Sequence, residues 1–366
     1  MPIHFSRERF NELRETYRKW WAGELRRPIV PIFTYGHETD PSRIDNAKGP
    51  ALIFPNAWDF SINPREFIET HDAVLSDRRW HGDAFPIFPT TAFGPGTMAA
   101  FLGCTPVGAP STVWFMPPRE NIPLEELHFE FDGENRYYRR VVDTFEAAVE
   151  KWKGSVIVGM VDMGGILDVL AGFRGTENLL VDLIENPDEV LRCIGELQDM
   201  WFLYYDKLNA ILSPSAQGYS QWFPLYGEKP GYILQSDFSY MISPAMFDTF
   251  VAPELSTSAA RLSNAVYHMD GIGQIHHLES LLAIDGIKGI QWVPGSGEPE
   301  KRCWDELLSK ILASGKKLLS RARRPDGKPI DIATDPGQLF LGDAAWHVNN
   351  IDAAKAYADI YGIDVR

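Results

Sequence analysis

Eight short runs of nearly continuous hydrophobic residues punctuate this chain: PIVPIF (28–33), AFPIF (84–88), SVIVGMV (155–161), YILQSDF (232–238), AVYHM (265–269), GIQWV (289–293), KLLSRA (317–322) and LFLG (339–342). Apolar runs of this length without strict alternation fit parallel strands buried on both faces. Between them lie longer stretches with helical periodicity. Residues 186–212 open with Asn186 in the N-cap position, Pro187 at the first helical position and acids in the first turn. The stretch from Ser243 opens the same way, and Pro253 predicts a break or kink ten residues later. Eight strands alternating with helices predict an α/β protein, a single (β/α)8 barrel spanning residues 1–366. An open doubly wound sheet would need a glycine-rich phosphate loop after the first strand, and IFTYGHETDP is not one. Residues 36–83 and 104–132 are then long, lid-like insertions after the first two strands.

In such a barrel the chemistry gathers at the C-terminal strand ends. Those ends carry Tyr35 and His37, Thr90, Asp162, Asp237 with Ser239, and His268 with Asp270. They continue with Gln291 and Trp292, Arg321, Asp343, Trp346 and His347. Thr90, Asp162 and Arg321 are equally well explained by a chain turning polar as it leaves a strand. His268 and Asp270 stand two apart, so their side chains leave a strand on the same side. They can reach one divalent cation or one substrate, with Gln291 arriving from the next strand. The alternative is a helix cap and an ordinary Asp-Gly turn at Asp270-Gly271. Trp222, in a Gly/Pro-punctuated loop, is placed to wall a pocket. His276 and His277, one turn later, are expected on the outer face. The pair Trp20-Trp21 and the aromatics Trp201, Tyr204 and Tyr205 fall at helical spacing, as core or subunit-interface positions.

Charge narrows the partners. The 366 residues carry a net charge of −15, and the densest basic run, RARRPDGK (321–328), is short. Nucleic acid and polyanionic substrates are disfavoured. No stretch approaches the ~20 apolar residues of a membrane span. The charged, helical N-terminus lacks a signal-peptide pattern, so a cytoplasmic location is expected. Cys104, Cys193 and Cys303 are too scattered for a disulfide framework or a zinc knuckle.

Four connected segments carry a family resemblance. They are GDAFPIFPTTAFGPGTMAAFLG, GMVDMGGILDVLAGFRGTENLLVDLIENPDEV, ILQSDFSYMISPAMFDTFVAPEL and YHMDGIGQIHHLESLLAIDGIKGIQWVPG. In this order they resemble uroporphyrinogen decarboxylase and its relatives among the zinc and corrinoid methyltransferases, whose fold is a (β/α)8 barrel. The decarboxylase's functional residues do not carry over. Its carboxylate-gripping arginines fall in PIVPIFTYGH, at about Phe33 and His37, and its catalytic aspartate at Thr90. Its substrate tyrosine falls near Ala171, and its late histidine at Asp343. The loss of fixed cations argues against an eight-carboxylate substrate.

The methyltransferase branch fits better. Cobalamin-independent methionine synthase and methylcobamide:coenzyme M methyltransferase hold zinc with a His-x-Cys pair at the strand end where this chain has His268 and Asp270. Gln291 stands near the methionine synthase's glutamate. The last cysteine falls at about Ala344 or Ala345, with His347 close behind. The resemblance thus implies a harder oxygen and nitrogen site for zinc or another divalent metal, drawn from His268, Asp270, Gln291 and His347. The expected activity is methyl (one-carbon) transfer on a small, non-polyanionic substrate, with a corrinoid protein as partner. His268, Asp237 and Asp270 are the expected catalytic residues. Tyr35, His37, Trp222, Gln291, Trp292 and Asp343 are the expected substrate contacts. A metal-free decarboxylase or lyase using Asp237 and His268, and a non-catalytic small-molecule binding protein, are the alternatives. The aromatic N-terminal helix suggests a homodimer.

Overall fold

The computed structural model describes residues 3–37, 49–213, 217–295, 304–320, 335–342 and 344–365. Its strands, in chain order, are β1 (Pro31–Tyr35), β2 (Arg79–Gly82), β3 (Ile87–Phe88), β4 (Thr105–Gly108), β5 (Val113–Met116) and β6 (Ile157–Val158). They continue with β7 (Ile233–Gln235), β8 (Ala265–Asp270), β9 (Ile287–Val293), β10 (Lys317–Ser320), β11 (Leu339–Leu341) and β12 (Ala344–His347). The architecture is mixed α/β with parallel sheets. All eight apolar runs contribute a strand. Five form one parallel sheet in the order β11-β10-β9-β8-β7, and β3 pairs in parallel with β6.

Isolated parallel bridges continue these ladders. Ile29, just before β1, bridges to Phe340 of β11, and Gly159, just after β6, bridges to Ser220. Hydrogen bonds do not close a barrel among the described residues, but side chains from seven of the eight runs meet in one apolar cluster. They are Ile29, Phe85, Ile157, Ile233, Val266, Leu319 and Phe340.

The N-terminal helix, Arg7–Trp21, seals that cluster. Ser6 caps it by accepting from the Arg9 N–H, and Phe10, Leu13, Tyr17 and Trp20 recur at helical spacing along its buried face. Trp20 is fully buried against this floor. The aromatic stripe that suggested a homodimer is therefore spent inside the chain. Trp201, Tyr204 and Tyr205 are likewise buried core residues of the helix Pro187–Leu212. Pro253 acts as expected: helix Pro244–Phe250 stops and a second helix, Ala252–Arg261, takes over.

Both insertions hold structure of their own. The first contains helix Pro64–Ser76, opened by an Asn63/Glu66 capping box, and returns as β2, antiparallel on β1. The second contains the β4–β5 hairpin. No described helix is long and apolar enough to cross a membrane.

Candidate metal centre

Gln235, His268 and Gln291 are direct cross-strand partners on β7, β8 and β9. Two residues earlier stand Ile233, Val266 and Gly289, also in register. A strand alternates its faces, so this places a polar row directly above an apolar one. His268 is the centre of that row. Its Nδ1 lies 2.7 Å from Gln291 Oε1. An amide oxygen only accepts, so Nδ1 bears the hydrogen and the neutral ring presents a lone pair at Nε2. Nε2 faces Asp270 Oδ2 at 3.8 Å. The Trp222 ring stands edge-on to the imidazole, with centroids 5.3 Å apart, and its Nε1–H donates to the Ile233 carbonyl at 3.1 Å.

Asp237 arrives from the 3-10 turn Asp237–Met241, immediately after β7. One ligand atom each from Asp237, His268 and Asp270 can be chosen so that all lie within 4.8 Å of one another. The field around them is acidic. Asp162 is 7% exposed, and its Oδ1 accepts from Gly164 N at 3.0 Å and Gln235 Nε2 at 3.1 Å. Asp168, on helix Ile166–Arg174, accepts the backbone N–H groups of Asp237 and Phe238.

Burial pushes the Asp162 carboxyl up to about 7, against the Gly164 N–H and the pull of His268. Burial also raises Asp168, with Asp237's charge adding to it. Asp237 reaches solvent, yet partial desolvation raises it, opposed by His268 and reinforced by Asp270. Burial pulls His268 down, but Asp270, Asp237 and Gln291 together outweigh it, and the imidazole ends above its ordinary value. Asp162, Asp168, Asp237 and His268 are thus all shifted toward binding a proton, the carboxyls chiefly by burial and the imidazole by its acidic neighbours.

The donor set suits a divalent metal. It offers one imidazole nitrogen and two carboxylates, ligands fit for zinc and for harder ions such as manganese. Asp270 Oδ1 is buried and has no hydrogen-bond partner, a costly state that a cation would relieve. No thiol joins the group among the described residues. Burial raises Cys104 to about 12 and Cys193 to about 11, so both are inert core thiols.

The other expected residues scatter. Gln291 spends its carbonyl oxygen on His268, so it orients the ligand rather than serving as one. Trp292 points to the opposite face of β9 and packs on Trp304, so it does not wall the His268 side. His347 lies apart from the Asp237–His268–Asp270 group: its ring meets Tyr35 edge-on, and its Nδ1 accepts from Asn349 N. β12 explains this, because it pairs with β1, whose run bridges to β11 at the end of the five-stranded sheet away from β7 and β8. His37 bonds Thr34, whose hydroxyl also meets His81, on the other face of β1 from Tyr35. Thr90 is structural, donating to the Gly159 carbonyl between β3 and β6. Asp343, Arg321 and Cys303 lie outside the described residues. Asp168 was not visible as a site residue. Its one signal in the sequence is a lone carboxylate in the apolar helix ILDVLAGF.

No family model matches the chain, and no curated protein matches it. Among solved structures, a methyltransferase from Methanosarcina mazei superposes with a TM-score of 0.59 at 15% identity, covering 95% of this chain and 98% of that one. At this identity the likeness establishes a shared fold over nearly the full length.

Proposed function

We propose that this chain is a single-domain (β/α)8 enzyme that transfers a methyl group to or from a small, non-polyanionic substrate, with a divalent metal held by Asp237, His268 and Asp270. The observation that carries the reading is this three-residue group, with its orphaned Asp270 oxygen, at strand ends of a fold shared end to end with a methyltransferase. A bound divalent ion would supply Lewis-acid activation of a substrate heteroatom. The chain's own part is to hold that heteroatom's neighbourhood. Gln291 keeps Nε2 of His268 turned toward Asp270, where the ion would be held, and Trp222 shields the imidazole edge. The surrounding carboxylates repel polyanions, in keeping with the net charge of −15. A corrinoid protein as methyl carrier and lid-like insertions belong to the same reading on the strength of the sequence alone.

One observation favours a second reading. Burial pushes the Asp162 carboxyl up to about 7, and it shares a field with His268. That is the profile of a proton donor in a metal-free decarboxylase or lyase.

Metal content by mass spectrometry separates the two. Tag-free wild type, reconstituted with zinc or manganese and desalted, is expected to retain one ion per chain, and His268→Ala to retain none while keeping its circular dichroism. A wild type that retains no ion refutes the metal reading. Release of carbon dioxide from small acids is then the assay that follows.

A further inference from the structure

Asp237 opens the turn after β7 and Asp270 ends β8, and the β7–β8 ladder stops at Gln235 and His268, two residues short of both, so pairing of these strands does not set the gap between them. Three contacts do. His277 closes the segment Ile272–His277 that follows Asp270, and its Nε2 donates to the Ser239 carbonyl at 2.8 Å, inside the Asp237 turn. A carbonyl acceptor requires that Nε2 carry the hydrogen. The His277 ring is stacked on Phe247 at 4.4 Å and 14°, which fixes the donor's direction. From the other side, Tyr240 lies on the backbone of the Asp270 turn. A Cβ at Gly271 would stand 2.9 Å from its ring, and one at Gly273 2.7 Å. Asp168 holds the Asp237 turn from helix Ile166–Arg174, its two oxygens accepting from Asp237 N at 3.0 Å and Phe238 N at 2.7 Å.

We propose that His277, Tyr240 and Asp168 are positioning residues of the cation group: His277 and Tyr240 dock the Asp237 turn onto the segment after Asp270, Asp168 holds the same turn on helix Ile166–Arg174, and together they set the bite of the two carboxylates. The proposal rests on the metal reading above. None of the three contributes an atom to the cation group, so each acts through the turn it holds. Outer contacts of this kind are worth about 10–100-fold in metal affinity.

The test is calorimetric titration of Mn²⁺ into the metal-free full-length wild type and into His277→Phe, His277→Gln, Tyr240→Ala and Asp168→Asn. His277→Phe keeps the stack on Phe247 and loses the N–H. His277→Gln restores a donor. Tyr240 is 48% exposed, so its truncation leaves the core intact and tests the clamp even where a buried variant folds poorly. The expected result is a dissociation constant raised about tenfold or more in His277→Phe, Tyr240→Ala and Asp168→Asn, and within about threefold of wild type in His277→Gln. Melting of the metal-free variants is recorded alongside. A purely structural role would lower the melting temperature and leave the Mn²⁺ affinity alone. Any of the three variants that binds Mn²⁺ as wild type does overturns the assignment of its residue, with the metal reading intact. A wild type that binds no Mn²⁺ or Zn²⁺ overturns the metal reading and the clamp with it.

Discussion

Gln291 is the sharpest place to test the site, because its effect runs through a single hydrogen. Gln291→Leu removes the acceptor at 2.7 Å from His268 Nδ1 and keeps an apolar side chain of similar reach. Two costs follow. In the metal-free protein a buried N–H loses its partner, worth about 1–3 kcal/mol. With metal, the ring loses tautomer and orientation control, worth about 10–100-fold in affinity, or about 1.4–2.7 kcal/mol. Both convert to temperature. Unfolding entropy of about 2.1 cal/mol/K per residue gives roughly 0.8 kcal/mol/K for 366 residues, so each kcal/mol moves the melting point by about 1.3 °C. Metal at 100 times the wild-type dissociation constant stabilises wild type by about 2.7 kcal/mol, a rise of about 3.5 °C. At that same concentration Gln291→Leu gains about 0.4–1.4 kcal/mol, a rise of about 0.5–2 °C, from a metal-free baseline already about 1–4 °C lower. Scanning calorimetry of chelator-treated protein, with and without added Zn²⁺ or Mn²⁺, reads all four numbers. A variant that still rises by the full wild-type increment refutes the orienting role of Gln291.

Other consequences follow from buried groups away from the ligands. Burial raises Glu254 from 4.5 to about 8, relieved only by Ser258. Its folded value lies above its unfolded one, so the stabilisation is complete below about pH 4.5 and is lost as pH rises through about 8. Glu254→Gln should flatten the stability profile across that window by about 1.4 kcal/mol per pH unit relative to wild type, and parallel urea-denaturation profiles would count against it. Trp20→Ala should cost about 3–5 kcal/mol, a fall of about 4–6 °C, with sedimentation unchanged because Trp20 packs inside its own chain; a shift in sedimentation would place Trp20 at an interface instead. Asp162→Asn keeps an oxygen for Gly164 and Gln235 and should retain the metal in mass spectrometry while losing any pH dependence near 7. Loss of the ion would move Asp162 into the ligand set.

What was legible in the sequence is what local pattern encodes. Continuous apolar runs marked the strands, the Asn186-Pro187 and Ser243-Pro244 starts marked helices, and strand alternation put His268 and Asp270 on one side. The rest depends on partners distant in the chain. Gln291 faces His268 only through the β8–β9 register, and no single strand announces its register. β2 is four residues whose antiparallel place on β1 is set by the whole first insertion. His277 reads as outward on a 3.6-residue period. The segment is instead a 3-10 turn, whose three-residue repeat brings it round to Ser239, fully buried. His347 lies on β12, whose pairing with β1 spacing alone does not reveal.

The acidity of the site argues for what it holds. Asp162, Asp237 and Asp270 share a field with one imidazole, Asp168 adds its charge to that of Asp162, and burial or like charge raises Asp162, Asp168 and Asp237. A protein gains nothing in stability from such an arrangement, since like charges this close repel even at an effective dielectric constant of about 20. Protons relieve it at low pH, at the expense of the His268 lone pair. A divalent cation relieves it at neutral pH, keeps His268 unprotonated and supplies the missing partner of Asp270 Oδ1. The same comparison bears on the metal's character. Where the resembled methyltransferases place thiolates, this chain places Asp270 and Ala344 or Ala345, and its two described cysteines are buried with raised pKa values. Carboxylates leave more positive charge on a bound ion than thiolates do, so an ion held here would favour an oxygen or nitrogen atom over sulfur. A site built from Asp237, His268 and Asp270 suits a harder acceptor.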